Sequence, residues 1–358
     1  MKVCLLGSGL SALTLAKALV NEKINVDIVP LNKNHKINIS RTIAISKANL
    51  DYFNKNIINI KKIIWKIKKI EIFSENLKNE KILHFENKSD HIFSIIKNFK
   101  LYDILFKSLS NNKYVKIINL NNKLSNIEKY NLIINTDYSN ILTRKYFNKK
   151  IAKTYNSFAY TTIINHEKVL NNVATQIFTK KGPLAFLPIS QTKTSVVYSI
   201  HNHKKYKKEN VIDLIKKYNF KYQITNAKSI ESFELKSVSL RSYYHSNILA
   251  FGDLLHKIHP LAGQGFNMTI RDTKILLDII KKNLDLGLPI DATTNIKFEK
   301  KMKHVNYVFS SGIDFIYEYF NFERKSKNNF LSKTVKLLGS NPSLNKIFTK
   351  IADKGLSF

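Results

Sequence analysis

The chain has 358 residues, enough for two domains or for one large domain carrying an insertion. Its 44% apolar content, with 11% aromatic residues, excludes a disordered polypeptide. A formal charge of +33, from 59 Lys and Arg against 26 Asp and Glu, invites a nucleic-acid reading, because basic surfaces bind phosphate backbones. The charge is spread instead as lysines among many Asn and Ile, in runs such as IIWKIKKI (63–70) and KKYKKEN (204–210). No zinc-finger, RNP or helix-turn-helix pattern organises it, and Arg, the usual reader of bases, is scarce. Nucleic acid is therefore excluded as a partner, and weak attraction to an anionic membrane surface is what the lysines leave open.

The N-terminal segment KVCLLGSGLSALTLAKAL (2–19) reads as a short apolar strand, Val3 to Leu6, a Gly7-Ser8-Gly9 turn and a helix. The helix has apolar positions at Leu13, Ala16, Leu19 and Val20. A second strand, NVDIVP (25–30), closes a βαβ unit. This is the dinucleotide-binding fingerprint, with Ala12 in the slot of the third glycine. The first glycine makes the turn, the second lets a pyrophosphate touch the backbone, and the small third residue lets helix and strand pack. Pro30 stands where an acidic residue would bind the adenosine ribose, and Asp27 lies inside the strand. The glycines also break the apolar run that a secretion signal would need. Cys4, the single cysteine, reads as a buried hydrophobe in a reducing, cytoplasmic compartment. No segment has the apolar length of a membrane span.

From Phe158 to Ile200 the chain alternates as short strands, YTTII, TQIF, LAFLPI and SVVYSI. The stretch ILAFGDLLHKIHPLAGQGFNMTIRD (248–272) then spends three of the ten glycines within fourteen residues of one another. It reads as an apolar strand, a Gly252-Asp253 break, a loop and a helix start. Asp253 can accept hydrogen bonds from sugar-like hydroxyls. The amides from Gly263 to Asn267 would face outward at a helix N-terminus, where anions and polar ring atoms are favoured. His256 and His259 have an i, i+3 spacing, but no third ligand pattern lies nearby, so no metal is expected.

The two glycine motifs resemble those of the flavoprotein monooxygenases related to para-hydroxybenzoate hydroxylase, and more narrowly its ubiquinone-biosynthesis hydroxylase branch. SRTIAISKANLDYF (40–53) is similar to the family's segment in which an arginine contacts the flavin, a role that falls on Arg41. ATQIFTKKGPLAFLPIS (174–190) resembles its Gly-Pro-Leu-Ala strand, and residues 248–272 its Gly-Asp-Ala-Ala-His-x-x-His-Pro-x-Ala-Gly-Gln-Gly-x-Asn motif. The tail from 287 to 320 follows the family's closing helices. In NTDYSNILTR (135–144), Asp137 and Arg144 keep the spacing of the family's middle motif, while Tyr138 and Ile141 replace its Gly and Ser.

The resemblance implies an α/β fold: a Rossmann-like FAD-binding domain, an inserted and mainly antiparallel substrate domain, and a helical C-terminal tail. The expected divisions are 1–70, 98–150 and 240–285 for the first, 71–97 and 151–239 for the second, and 286–358 for the tail. The implied cofactor is FAD. Gly7, Gly9 and Ala12 would hold its pyrophosphate and Asp253, with Gly252, its ribityl chain. Pro260, Gly263, Gln264, Gly265, Phe266 and Asn267 would lie along its ring. Leu184, Phe186 and Leu187 would line the substrate pocket, and His259 is the nearest titratable candidate for a catalytic role. The implied reaction is hydroxylation of a lipophilic, polyprenylated phenol by O2 through a flavin C4a-hydroperoxide. Electrons would come from NAD(P)H or, given Tyr138, from a separate donor protein. Contact with other quinone-biosynthesis proteins, and peripheral contact with a membrane through the apolar faces carrying Ile316, Phe320, Leu331 and Leu338, are further implications. The alternative is a catalytically weakened FAD-binding scaffold subunit.

Overall fold

The computed structural model describes residues 2–30, 39–87, 90–118, 129–201, 204, 206–260, 263–326 and 329–341. The chain opens with β1 (Lys2–Leu6), α1 (Leu10–Asn21), β2 (Asn25–Val29), β3 (Thr42–Ser46) and α2 (Lys47–Asn56). Next come β4 (Trp65–Ile67), β5 (Lys69–Ser74), β6 (Glu80–Glu86), β7 (Phe93–Lys97) and α3 (Asn98–Ser110). Then follow β8 (Val115–Ile117), β9 (Leu132–Asn135) and α4 (Ile141–Tyr146). Four strands succeed one another, β10 (Lys150–His166), β11 (Val173–Thr179), β12 (Gly182–Pro188) and β13 (Lys193–His201). After them come α5 (Lys208–Tyr218), β14 (Ile224–Ala227), β15 (Glu231–Leu240), β16 (Tyr244–His245), β17 (Ile248–Ala250) and β18 (His256–Lys257). Three helices follow, α6 (Gly265–Asp285), α7 (Ala292–Ser326) and α8 (Phe330–Ser340). The side chain of Leu331 lies outside the described set.

The strands form three sheets. In the first the order is β16-β17-β9-β1-β2-β8, parallel from β17 to β8. Parallel strands covered on both faces read as unbroken apolar runs, and β1, β2 and β9 bury almost every side chain. Leu13, Leu15, Ala16 and Leu19 of α1 pack on this sheet, and Leu276, Leu277 and Ile280 of α6 join the same core. Asp27 is a buried carboxylate within β2, held by the Lys2 ammonium at 2.7 Å and the Tyr130 hydroxyl at 2.7 Å. It is thus a structural ion-pair member rather than a sugar acceptor. Burial pushes the Cys4 thiol up to about 12, which makes it the inert hydrophobe expected.

The large second sheet runs β18-β15-β10-β13-β12-β11-β5-β6, with β14 beside β10. Its strands pair antiparallel except for β5, which lies parallel to β11. That one parallel pairing brings the early hairpin of β5 and β6 into a sheet otherwise made of residues 150–257. β7 pairs instead with β3 and β4 in a small third sheet. One face of the large sheet is sealed by α5, whose Val211, Ile215 and Tyr218 pack on Leu184, Phe186, Val196 and Tyr198. The other face looks toward α7 and a cavity. This Rossmann-like sheet, mainly antiparallel sheet and helical C-terminal region match the fold class expected from the sequence.

The turn from β11 to β12 depends on Gly182. Its φ is +132°, and a Cβ there would stand 2.1 Å from the Ser199 carbonyl oxygen. Gly182→Ala is expected to lower the unfolding free energy by at least about 2 kcal/mol, as read from urea denaturation. An unchanged midpoint would show that this turn relaxes freely.

Candidate active site

A single cavity of about 1100 Å³ runs from the carboxyl edge of the parallel sheet, past the large sheet, to the C-terminal helices. Its polar end is built where three parallel strands stop: Gly7–Ser11 after β1, Thr136–Ser139 after β9, and Asp253 after β17. Ligands of open α/β sheets bind at this edge. Gly7 has φ +112°, and a Cβ on it would lie 2.3 Å from Thr136 Oγ1, so only glycine fits. Gly9 caps α1 and differs in kind: a Cβ there would meet nothing within 4 Å. Its face opens to the cavity. α1 begins with no side-chain cap and no acidic residue in its first turn, so its N-terminal amides and dipole favour an anion. Ala12 is fully buried, in the packing role of the third glycine slot.

A second helix start meets the same cavity. Gln264 precedes α6 without a side-chain capping bond, and no acidic residue follows in the first turn. Pro260, Gly263, Gln264, Gly265 and Phe266 all line the cavity. Gly252 stands behind the wall, with φ +63° and a would-be Cβ 2.4 Å from Ser11 Cβ, where it lets the strand end close on α1. Asn267 is buried outside the lining and uses its whole amide in bracing the fold. Its Oδ1 accepts from the Ser46 amide at 2.9 Å and from Asn49 Nδ2 at 3.0 Å. Its Nδ2 donates to the carbonyls of Ala44 at 2.9 Å and Gly263 at 3.3 Å. An amide with two acceptor and two donor bonds has no capacity left for a ligand.

The middle motif folds on itself. Asp137 Oδ1 accepts from the amide and the hydroxyl of Ser139 at 2.6 and 2.5 Å. Asn140 caps α4 by accepting from the Thr143 amide at 2.9 Å, and Arg144 stands exposed on α4. Tyr138, which has no counterpart in the expected pattern, lines the cavity and donates its hydroxyl to the Asp253 carbonyl. It therefore bridges the ends of β9 and β17. Composition and spacing gave no hint of this reach, although a large aromatic in a glycine's place was itself a signal.

At mid-cavity Arg41 lies with its guanidinium 5.9 Å from the Phe233 ring centroid. His259 also lines the cavity, with its ring 4.9 Å from that of Tyr155 and 4.4 Å from that of Tyr317. Burial, aided by the Lys153 ammonium, pushes His259 down to about 3, so its imidazole is neutral across the physiological range. His256 contrasts with it. Desolvation opposes its charge, but the Asp272 carboxylate, 2.5 Å from Nε2, wins and raises its pKa. Asn306 secures the other oxygen of Asp272 at 3.1 Å, and the trio ties β18 to α6 and α7.

Of the three residues expected at the substrate wall, only Leu187 faces the cavity. Leu184 and Phe186 point the other way, into the core beneath α5. Side chains alternate along a strand, so 184 and 186 share a face that 187 cannot share. The cavity positions on β12 are Pro183, Ala185 and Leu187.

No protein-family model matches the chain. It is 25% identical over 226 residues to ubiquinone biosynthesis monooxygenase COQ6 of Danio rerio, covering 51% of this chain and 47% of that protein. It is 26% identical over 149 residues to 3-demethoxyubiquinol 3-hydroxylase of Escherichia coli K12, covering 40% and 38%. These two matches thus span about half of the first relative and less of the second. The chain is thus similar in sequence to ubiquinone-biosynthesis hydroxylases over part of its length. Among solved structures, its fold is that of p-nitrophenol 4-monooxygenase from Pseudomonas putida, at TM-score 0.79 and 12% identity, covering 99% of this chain and 98% of that one. HpxO of Klebsiella pneumoniae, crystallised with FAD and uric acid, superposes at TM-score 0.77 and 10% identity over 99% and 97% of the two chains. The chain therefore shares the fold of these two proteins.

Two outcomes follow from the geometry. Asn267→Ala strands four buried partners, and is expected to cost about 2–4 kcal/mol of stability in thermal or urea unfolding without added ligand. A change below 1 kcal/mol would mean that water replaces the amide. An imidazole that titrates near 6.5 when unfolded and about 3 when folded is protonated first in the unfolded chain. The fold therefore loses stability as pH falls from 6.5 towards 3. His259→Phe should flatten that acid limb: wild-type melting points should fall relative to the variant between about pH 7 and 4, and parallel curves would refute the assignment.

Proposed function

We propose that the chain is an FAD-dependent monooxygenase that hydroxylates the ring of a polyprenylated phenol in ubiquinone biosynthesis. The observation that carries this reading is one cavity joining two uncapped helix starts to an apolar interior. Ligand pockets usually span about 300–1,000 Å³, so about 1100 Å³ accommodates a large cofactor together with a substrate. The residues present fit FAD: Gly9 offers an open backbone at α1, and the start of α6 offers amides where a flat ring must come close. A scaffold without chemistry would have no use for such a space.

In this reading Gly7, Gly9 and the first turn of α1 hold the pyrophosphate, and Asp253 accepts from the ribityl hydroxyls. Pro260 and Gly263–Phe266 lie along the ring, where the α6 dipole favours negative charge. When bound and reduced, FAD supplies O2 activation, so that one oxygen atom reaches an electron-rich ring and the other leaves as water. The protein's part is to bind, orient and exclude water. Arg41 sits at the junction of the two ligands. His259 serves there as a neutral hydrogen-bonding group toward the phenol rather than as a cationic acid. Reducing equivalents come from NAD(P)H or from a separate electron-donor protein, and Tyr138 narrows the polar rim at which a donor would arrive. No helix among the described residues is long and apolar enough to cross a membrane. Contact with a lipid surface would be peripheral, through the exposed Phe315, Phe322 and Leu337 near many lysines.

The visible absorption spectrum of the gently purified protein tests the reading, followed by an oxygen-dependent assay on a prenylated phenol. A folded protein that neither retains nor takes up FAD would overturn it. Gly9→Ala sharpens the test. The new methyl meets no protein atom within 4 Å, and φ is −74°, so the ligand-free fold should change by less than about 0.5 kcal/mol. Its FAD affinity should nevertheless fall at least about tenfold. Equal affinities would mean that the pyrophosphate does not lie on Gly9.

A further inference from the structure

A second opening lies away from the main cavity and shares no lining residue with it. It is a groove of about 830 Å³ between α7 and the chain that runs from the end of β15 into β16. α7 supplies one bank. Its Phe298, Met302, Asn306 and Phe309 are buried in the fold, while Ile296, Lys300, Lys303 and Tyr307 line the groove. The spacing i, i+4, i+7 and i+11 puts these four on one helical face, about 16 Å long by the helical rise. Ile151, Arg241 and Tyr244 come from the other bank, with Leu240 and Tyr243 buried at its floor. Both banks are held in place. The Asn295 side-chain nitrogen donates to the Ser246 carbonyl at 3.0 Å, and the Arg241 amide to the Lys149 carbonyl at 3.0 Å. Ile151 is paired with Ser239 across β10 and β15. The groove is therefore formed before anything enters it.

Two features of the lining call for an occupant. Ile151, Ile296 and Tyr307 are 49%, 48% and 52% exposed, so an apolar strip stands in water. Arg241, Lys300, Lys303 and His304 surround it. Among the described residues Glu299 is the one carboxylate in the lining, and Lys303 holds it at 2.9 Å, which leaves Arg241 and Lys300 unanswered within the groove. We infer that the groove receives an acidic amphipathic segment of a partner protein. Its apolar side chains lie on the Ile and Tyr strip, and its carboxylates meet Arg241 and Lys300. Tyr and Arg are the residues enriched at protein interfaces, and a helix-lined groove of this length matches about three turns of a docked helix. A second copy of this chain is excluded as occupant by charge, since each carries +33. A lipid surface fits poorly as well: Leu240 and Tyr243 lie recessed, 4% and 1% exposed, where a flat layer does not reach. The inference does not depend on the flavin reading.

The test uses the full-length protein as purified, at about 0.15 M salt. The probe is a labelled peptide of about twelve residues, with leucine at helical spacing and glutamate on its other faces. It is expected to bind at least about tenfold tighter than a peptide of the same composition with its leucines scattered. Arg241→Glu with Lys300→Glu should weaken binding at least about tenfold, and Ile296→Ser, on the exposed strip, about fivefold or more. Lys107→Glu with Lys216→Glu, exposed on α3 and α5, makes the same change in net charge away from the groove. That pair should alter affinity by less than about twofold. Thermal melting checks that each variant is folded, and the Ile296→Ser arm decides alone should the double reversal not fold. Absence of binding up to about 1 mM peptide, equal losses in the two charge-reversed pairs, or indifference to the leucine pattern overturns the inference. Vesicles of phosphatidylglycerol and phosphatidylcholine give the last arm. If wild type binds them and the groove variants release them while the peptide is unaffected, the face belongs to lipid and the inference falls.

Discussion

The site depends on one buried amide. Asn267 lies in the first turn of α6, and its four hydrogen bonds reach β3, α2 and the loop ahead of its own helix. They hold the Ala44 backbone so close to Gly263 that a Cβ on the glycine would be 2.8 Å from Ala44 Cβ. Gly263 also needs its positive φ of +61° there. Helix start, strand and cavity wall are therefore fixed together. The amides of α6 can face a ligand only because a side chain behind them has taken over the bracing.

The same division of labour recurs elsewhere in the fold. Asp27 is spent on Lys2 and Tyr130, Asp137 on Ser139, and Asp272 on His256 and Asn306. Among the described residues Asp137 and Asp253 are the carboxylates that line the cavity; Asp137 is spent on Ser139, which leaves Asp253 beside backbone, glycine faces and aromatic rings for a ligand. Such a wall is poor in acid–base machinery and rich in positioning groups. It suits chemistry that a bound cofactor carries, and His259, whose ring lies against Tyr155 and Tyr317, is held neutral there by burial.

What the sequence disclosed tracks how local the cause is. Gly7, Gly252 and Gly263 were legible because positive φ or close approach is a property of one position and its neighbours. The apolar runs of β1 and β17 were legible because burial on both faces removes alternation. The motif position of Asn267 was legible, but the bracing by its side chain was not: a motif residue beside a ligand and one bracing the ligand's wall look alike in sequence. Leu184 and Phe186 were placed on the cavity because an apolar strand with both faces covered does not say which face meets the pocket. The pairing of β5 with β11, across about a hundred residues, and the reach of Tyr138 to the Asp253 carbonyl are non-local. No window of sequence contains either.

The large positive charge bears on this division too. A chain with 59 basic residues could have built a cationic pocket, yet among the described residues the cavity lining includes only Arg41, Lys236 and Lys257 of the Lys and Arg. Lys236 is already paired with Glu234 at 2.8 Å. Field from scattered surface lysines is screened within about 8–10 Å at physiological salt, so it contributes little at the cavity centre. Negative charge inside is therefore met by the two helix starts and by Arg41 and Lys257. The surface charge is left to act on what approaches from outside, where a lipid surface or an acidic partner would feel it.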